Sequence, residues 1–101
     1  MASTWSALAD PRRRAMLELL RERPRPVGEL TAALGLSQPG ASKHLRVLRE
    51  AGLVRARPAA QRRVYELAPD PLSELDAFLA PYRRFWTERL DALQRHLDEQ
   101  E

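Results

Sequence analysis

The sequence predicts a mainly α fold that carries one small two-stranded antiparallel hairpin. Apolar residues recur at helical spacing over most of the chain, and capping signals mark the ends of these segments. Residues 53–67 instead combine Val, Tyr and Leu around a short loop, a pattern typical of a hairpin. From Leu72 to Leu97 an apolar stripe continues at steps of three and four residues, which indicates a long final helix.

Length and composition limit the class of protein. With 101 residues the chain has the size of one domain, and 44% hydrophobic and 31% charged residues are typical of a soluble protein. No apolar run approaches the roughly 20 residues that a membrane helix requires. Cysteine is absent, which excludes disulfides, thiolate metal sites and a cysteine nucleophile. Met1–Leu8 has no export-signal pattern, so we expect cytoplasmic localisation.

Charge is distributed unevenly along the chain. Residues 1–69 hold 13 basic and 6 acidic groups, whereas residues 70–101 hold 4 and 8, and the two parts give the net charge of +3. A basic section of this kind favours a polyanionic partner such as nucleic acid. An arginine-rich helical surface without such a partner is the alternative.

The first predicted helix covers about 11–22. Asp10 is a good N-cap residue, and Pro11 follows it at the first helical position. Three arginines at 12–14 occupy the first turn, where the positive end of the helix dipole disfavours cations. We therefore expect either a negative group beside them, such as a phosphate, or plain surface arginines.

A short helix, a tight turn and a third helix are predicted next. Gly28 is the N-cap residue of the short helix, which continues through Leu34 and stops at Gly35 in the left-handed conformation. Ser37 is the next N-cap residue. The third helix then covers Gln38–Ala51 and is closed by Gly52.

The third helix separates into an apolar face and a polar face. Ala41, Leu45 and Leu48 lie on the apolar side. The other side carries hydrogen-bonding and cationic residues, namely Gln38, Ser42, Lys43, Arg46 and Arg49. Side chains of these types can read base edges and bind phosphates in a DNA major groove. Pro39 and Gly40 add little bulk in the first turn, which would let the backbone approach DNA closely.

The predicted hairpin pairs residues 53–57 with residues 62–67 through a loop at 58–61. Its strands and tip are rich in arginine, with Arg55, Arg57, Arg62 and Arg63. These cations suit contacts with backbone phosphates, although charge on an edge hairpin also prevents aggregation. Tyr65 and Leu67 share one face, which we expect to pack on the helices.

The last predicted helix begins with Asp70 as N-cap and Pro71 as first residue and extends to about residue 97. A continuous helix of this length spans about 40 Å, so a domain this small cannot cover its apolar stripe. We expect a second chain to cover it. Pro81 is expected to kink or divide the helix near residues 77–81.

Patterns for catalysis and metal binding are missing from the sequence. It contains neither a Gly-rich phosphate loop nor a GxSxG elbow. His44 and His96 are expected to hold no ligand, and Asp91 lies five residues before His96, which does not suit a helical metal pair. We predict no enzyme activity, no metal and no cofactor.

Three segments occur in the order LADPRRRAMLELL, VGELTAALGLSQPGASKHLRVLREAGLV and RRVYEL. Together they resemble the ArsR/SmtB family of winged helix-turn-helix repressors over about 5–97. The resemblance implies a homodimer joined mainly by its first and last helices. It also implies that two recognition helices enter successive major grooves of a palindromic operator, while the hairpin acts as the wing that follows the DNA backbone.

The residue patterns and the resemblance together predict two surfaces. DNA contacts are expected from Ser37, Gln38, Pro39, Ser42, Lys43, Arg46, Arg57, Gln61, Arg62 and Arg63. Dimer contacts are expected from Trp5, Leu8, Leu75, Leu79, Tyr82, Phe85, Trp86, Leu90 and Leu93. Within a single domain, 1–101, residues 10–69 form the DNA-binding core with its wing at about 53–67, and residues 70–98 form the dimerisation helix.

Founding members of this family sense metals through cysteines on the short helix or through Asp, His and Glu ligands on the last helix. Thr31, Ala32 and Ala33 occupy the short helix here, and no such ligand set follows Asp70. The sequence therefore resembles a metal-independent branch, with an unknown effector. We expect a homodimeric repressor that binds double-stranded DNA and does not bind a membrane. Its own gene is one of the genes that it could repress. A protein-interaction module with a purely structural helical dimer is the alternative.

Overall fold

The computed structural model describes residues 3–100, so Met1, Ala2 and Glu101 of the predicted domain 1–101 lie outside the described residues. Within this range five helices and three strands are formed. In chain order they are α1 (Thr4–Leu8), α2 (Pro11–Glu22), β1 (Arg25–Pro26), α3 (Val27–Leu34), α4 (Gln38–Glu50), β2 (Val54–Ala59), β3 (Arg62–Leu67) and α5 (Asp70–Glu99). The predicted class, mainly α with a small antiparallel sheet and a long last helix, is confirmed.

The core lies where α2, α3 and α4 meet the base of the sheet. Its large side chains with almost no exposure are Met16, Leu30, Leu45, Leu48, Leu53 and Val54. Tyr65 and Leu67 of β3 pack against this cluster, as predicted. Burial of each large apolar side chain contributes about 1.5 to 3 kcal/mol to folding, so the helices of the core are held mainly by this contact.

The sheet has three strands in the order β1-β3-β2, one more than predicted. Strand β1 is only two residues long and pairs with the far edge of β3 through the partners Arg25↔Tyr65 and Pro26↔Val64. Strand β2 continues to Ala59, which pairs with Arg62, so the turn holds residues 60–61 and the predicted loop 58–61 is too long. We call the β2–β3 hairpin the wing.

Helix α1 was not predicted, and it explains the arginines in the first turn of α2. Arg13 Nε donates a hydrogen bond to the carbonyl of Ala7 at 2.8 Å, and Arg14 Nη1 donates to the carbonyl of Leu8 at 2.6 Å. Cations belong at the C-terminal end of a helix, where the last carbonyls have no partner within the helix. The carbonyls of α1 therefore give Arg13 and Arg14 hydrogen-bond partners, and the phosphate expected beside these arginines stays a prediction.

Asp10 caps α2 as predicted, since its carboxylate accepts hydrogen bonds from the backbone N–H groups of Arg12 at 2.7 Å and Arg13 at 3.4 Å. Loss of hydration raises the pKa of the Asp10 carboxyl. The two hydrogen bonds, helped by neighbouring side-chain charges, outweigh this effect, so the pKa of Asp10 lies below its ordinary value.

Two predicted helix starts are wrong, by two residues for α3 and by one residue for α5. Helix α3 begins at Val27 with Pro26 in the N-cap position, so Gly28 is not the cap. Helix α5 begins at Asp70 itself and has no side-chain cap. The predicted stop of α3 is confirmed, because Gly35 is left-handed with φ 66°.

Helix α5 is continuous from Asp70 to Glu99 and is not divided at Pro81. The proline ring frees the carbonyl of Ala77, which lies on an exposed part of the helix where water can hydrate it. The predicted bend at residues 77–81 stays a prediction. Beyond Pro81 the helix projects from the domain, and every described residue there is exposed.

Candidate nucleic-acid interface

Helix α4 presents its polar side to the surface because its apolar side packs in the core. Ala41, Leu45 and Leu48 are 0%, 1% and 0% exposed. Burial of these three positions places one side of the helix against the core. The opposite side is left exposed, and it carries Gln38, Ser42, Lys43, Arg46 and Arg49.

Both ends of α4 are fixed by local hydrogen bonds. The Ser37 hydroxyl accepts a hydrogen bond from the N–H of Gly40 at 3.1 Å, which is the predicted N-cap. At the other end Gly52 is left-handed with φ 79°, and the N–H of Leu53 donates to the carbonyl of Leu48 at 2.9 Å. This pattern is a Schellman motif, as Gly52 predicted. Ser37 therefore holds the helix start next to the predicted DNA contacts.

The local structure also favours glycine at position 40, in addition to the close approach to DNA that the sequence predicts for this turn. A Cβ atom at Gly40 would lie 3.0 Å from Ser37 Oγ, tighter than most real contacts of this kind. A larger residue there must shift the hydroxyl that caps α4 by a few tenths of an ångström. Gly40 therefore preserves the cap at the cost of helix propensity.

A groove of about 290 Å³ lies between α4 and the wing. We call it the α4–wing groove, and it is lined by Pro39, Ser42, Lys43, Arg46, Arg49, Arg63 and Tyr65. The wing side chain Arg63 faces the same groove as the cations of α4, although the two elements are separate in sequence. Folding thus brings cations from two elements to one concave surface.

A second concave surface adjoins this groove at Ser42. Its volume is about 590 Å³. It is lined by the start of α3, by Gln38 and Ser42 of α4, and by Arg62 and Arg63 of the wing. Gln61 and Arg57 lie further out, around the wing tip together with Arg49. Apart from Ser37, the predicted DNA contacts therefore line adjoining concave surfaces along the polar side of α4 and the wing.

The cations of this surface differ in whether an acid neutralises them. Among residues 3–100, no carboxylate lies within ion-pair distance of five of them, namely Lys43, Arg46, Arg49, Arg62 and Arg63. Arg57 is different, because its Nε lies 3.2 Å from Glu66 Oε2, and Arg55 approaches the same carboxylate at 3.6 Å. Arg57 is thus partly neutralised before any DNA arrives.

Two residues of the α4–wing groove were missed as predicted contacts. Arg49 was placed on the polar face of the helix but left out of the site, although it follows Arg46 at helical spacing. Tyr65 was predicted only to pack on the helices, and it does so while its edge also lines the groove. Helical spacing could have identified Arg49 as a groove residue. The position of Tyr65 in the groove depends on the angle between the wing and α4, which the sequence does not show.

Comparison with known proteins identifies this architecture. The model of the bacterial regulatory protein, arsR family, matches residues 10–56. The HTH-type transcriptional regulator Rv2034 of Mycobacterium tuberculosis is 47% identical over 94 residues, which cover 93% of this chain and 85% of that protein. The chain belongs to the ArsR family of bacterial regulators.

Solved structures agree with the assignment to the ArsR family. The homodimeric winged helix-turn-helix DNA-binding domain of Mb0332 from Mycobacterium bovis aligns with a TM-score of 0.65 at 32% identity, covering 84% of this chain and 79% of that one. The crystal structure of Rv0081 from Mycobacterium tuberculosis aligns with a TM-score of 0.64 at 39% identity, covering 85% and 88%. The fold is therefore a winged helix-turn-helix, and the protein is a DNA-binding transcriptional regulator rather than an enzyme.

A second surface of this ArsR-family chain is apolar and exposed. Trp5, Phe78, Tyr82, Phe85, Trp86, Leu90, Leu93 and Leu97 are each at least half exposed, whereas the predicted contacts Leu8, Leu75 and Leu79 are half-buried. Trp5 of α1 meets Phe78 of α5 edge-on, with 5.3 Å between the ring centres. Phe78 and Leu97 were not among the predicted dimer contacts, although both continue the same stripe. An apolar surface this extended is typical of an interaction site.

Residues 3–100 form neither a metal-binding cluster nor a membrane-spanning helix. Across residues 3–100, no three His, Asp or Glu side chains lie close enough together to bind one metal ion. None of the helices formed by these residues is both long and apolar enough to span a bilayer. His96, predicted on the exposed side of the last helix, is exposed, and its Nε2 lies within hydrogen-bond distance of Gln100 Nε2 at 3.1 Å.

Proposed function

We propose that this chain is a homodimeric repressor that binds a palindromic operator through α4 and the wing. The observation that carries the proposal is the set of five cations without a nearby acid, gathered beside hydrogen-bonding side chains on one surface. A surface of this composition matches a phosphate backbone and the base edges next to it.

The DNA-contacting residues have different roles in this proposal. Gln38 and Ser42 have short hydrogen-bonding side chains on the exposed side of α4 and contact base edges in the major groove. Ser37 and Pro39 bring the start of α4 close to the DNA backbone. Phosphates are bound by Lys43, Arg46, Arg62 and Arg63, by Gln61 and Arg57 at the wing tip, and by Arg49, which the groove geometry adds to this set.

The dimer is proposed from the exposed apolar stripe of α5 and from Trp5 of α1. The stripe continues to Leu97, well beyond the part of α5 that packs on the domain. A copy of the same chain offers a matching apolar surface of the same length, as a two-fold interface requires. In this arrangement residues 10–69 form the DNA-binding core and residues 70–98 the dimerisation helix. The two recognition helices are then spaced by about one turn of DNA, roughly 34 Å.

Regulation of this repressor is proposed to be independent of bound transition metals. The short helix holds Thr31, Ala32 and Ala33, none of which has a side chain suited to a soft metal, and the chain has no cysteine. We expect zinc, nickel or a chelator to change operator affinity by less than about twofold relative to the untreated protein. A metal that weakens operator binding by about tenfold, a coupling energy within the common range, contradicts this part of the proposal.

A salt titration tests the DNA-binding surface directly. If a homodimer neutralises about 6 to 10 phosphates, the logarithm of affinity falls against the logarithm of salt concentration with a slope of about −5 to −9. Selection from a random pool of duplexes, followed by mapping of the protected bases, tests for a palindrome. A flat salt response favours the protein-interaction module instead, and a selected site without two-fold symmetry contradicts the proposed geometry.

A further inference from the structure

The guanidinium of Arg13 uses all three of its nitrogen atoms, although the residue lies in the first turn of a surface helix. Nε donates to the carbonyl of Ala7 at 2.8 Å and Nη2 donates to the carbonyl of Ser6 at 3.0 Å. Nη1 lies 3.4 Å from His44 Nδ1 and 3.9 Å from Asp10 Oδ2. The side chain is only 15% exposed, so these contacts replace most of its hydration.

These contacts join three separate helices. Ser6 and Ala7 belong to α1, Asp10 is the N-cap of α2, and His44 belongs to the recognition helix α4. A guanidinium can only donate hydrogen bonds, so Arg13 and His44 form one in the tautomer whose Nδ1 carries no proton. The planar fork of an arginine fixes the relative positions of the groups that it binds, which a single point charge does not.

The two neighbouring arginines do not make the same connection. Arg14 Nη1 donates to the carbonyl of Leu8, so this side chain reaches α1. Among the hydrogen bonds and ion pairs of residues 3–100, neither Arg14 nor Arg12 contacts α4 through its side chain. Arg13 is therefore distinguished from its neighbours by its contact with the recognition helix.

The position of His44 makes this contact relevant to DNA binding. His44 lies at the border of the buried side of α4, next to Leu45, and Ser42 lies on the exposed side. Contact at this border resists rotation of the helix about its own axis, because the side chain is displaced sideways from that axis. Such a rotation would move Ser42 along the floor of the major groove.

The other end of the connection lies on the apolar surface. Arg13 binds the carbonyls of the two residues that follow Trp5, and the Trp5 ring packs edge-on against Phe78 of α5. Helix α1 thus contacts α5 on one side and, through Arg13, the recognition helix on the other. Arg13 therefore connects the contact between α1 and α5 to the recognition helix.

We propose that Arg13 is a positioning residue that fixes the orientation of the recognition helix relative to α1 through His44. This inference rests on the proposed function, since it concerns how the homodimer holds its two recognition helices. Arg13 itself does not contact DNA in this account. It sets the angle at which Gln38 and Ser42 meet the base edges, so its loss reduces discrimination between sequences more than affinity for DNA in general.

The test compares binding of a selected palindromic duplex with binding of a random duplex for a set of variants. His44→Leu removes the acceptor, whereas His44→Asn keeps an acceptor near the place of Nδ1. We expect His44→Leu to weaken binding of the selected duplex by about tenfold, within the range of measured coupling between contacting residues, and that of the random duplex by less than about twofold. His44→Asn should restore most of the discrimination.

Variants in α2 provide matched controls. Arg14→Ala removes the hydrogen bond from Arg14 to α1 but leaves the contact between Arg13 and His44 of α4. Arg12→Ala removes a neighbouring charge in the same turn. Both should keep the discrimination between the two duplexes. Arg13→Lys keeps the charge but loses the fork, so it should reduce discrimination as His44→Leu does, and the double variant should lose less than the sum of the two. If His44→Leu does not fold, Arg13→Lys and His44→Asn supply the same comparison.

Thermal unfolding and sedimentation of the free dimer separate the outcomes. Equal losses on both duplexes, or unchanged discrimination in both His44→Leu and Arg13→Lys, overturn the positioning role while leaving the proposed function standing. A wild-type chain that does not discriminate between the duplexes overturns both proposals. Loss of discrimination together with an unchanged dimer dissociation constant supports the role of Arg13.

Discussion

Arg63 and Arg57 are both arginines of the wing, yet the structure predicts different effects when each is replaced by alanine. Arg63 faces the α4–wing groove and has no carboxylate within ion-pair distance among residues 3–100, whereas Arg57 lies 3.2 Å from Glu66 Oε2. Binding of phosphate by Arg57 must compete with this existing ion pair. Arg63→Ala should therefore change the salt dependence of DNA binding more than Arg57→Ala does.

The size of the effect follows from the number of cations. Five cations per chain lack an acid partner within the described residues, which gives ten in a homodimer. At about −0.9 per neutralised phosphate, these ten cations contribute about −9 to the slope of log affinity against log salt. Arg63→Ala removes two cations from the dimer, so the slope should become less steep by about 1.8. Arg57→Ala should change it by less than about half of this amount.

Fluorescence anisotropy with a labelled random duplex, titrated between about 50 and about 200 mM salt, measures these slopes. Arg63→Lys keeps the charge and should keep the slope, so it serves as the matched control. Glu66→Gln releases Arg57 and Arg55 from their shared acid and should make the slope steeper. Equal slope changes for Arg63→Ala and Arg57→Ala, or no change for Glu66→Gln, refute the reasoning.

The remaining predictions concern stability and assembly. Ser37→Ala removes the cap of α4 and should cost about 1 kcal/mol in urea unfolding, and an unchanged midpoint contradicts the capping role. Ala60→Gly should stabilise the wing by up to about 1 kcal/mol, because Ala60 has φ 59°, and a loss of stability would show that its methyl group is needed. Since the folded-state pKa of Asp10 is lowered, its carboxylate contributes stability that is present above the ordinary carboxyl value of about 3.9 and is lost as pH falls through the folded-state value. In thermal unfolding, the difference in melting temperature between the wild type and Asp10→Asn should therefore shrink as pH falls. A difference that grows in acid contradicts this. Trp86→Asp places a charge in the middle of the exposed stripe, so sedimentation should show a folded monomer, whereas an intact dimer places the interface elsewhere.

Helix ends marked by local hydrogen bonds were predictable from the sequence. Asp10 and Ser37 cap their helices with their own side chains, and Gly35 and Gly52 adopt the left-handed conformation that ends a helix. Each of these signals acts within a few residues of the chain. The polar face of α4 followed from them, because the start and the buried side of the helix together determine which residues are exposed.

Elements that depend on distant contacts were not predictable in this way. Helix α1 has five residues, fewer than an isolated helix needs, and its end is held by arginines from α2. Strand β1 has two residues and exists through pairing with β3, some 40 positions later in the chain. The pairing of Arg57 with Glu66 likewise depends on the register of the wing, which places Arg55 directly opposite Glu66.

The distribution of ion pairs connects these observations to function. At the end of α2 and in β1, two arginines are paired with acids, Arg21 with Glu18 at 3.0 Å and Arg25 with Glu22 at 2.8 Å. Pairs of this kind at helical spacing limit the repulsion between like charges on a surface. The α4–wing groove lacks such acids, so its cations repel one another in the free protein and oppose folding. A polyanion in the groove removes this repulsion, and the free energy that the uncompensated charge costs the folded chain is regained when DNA binds.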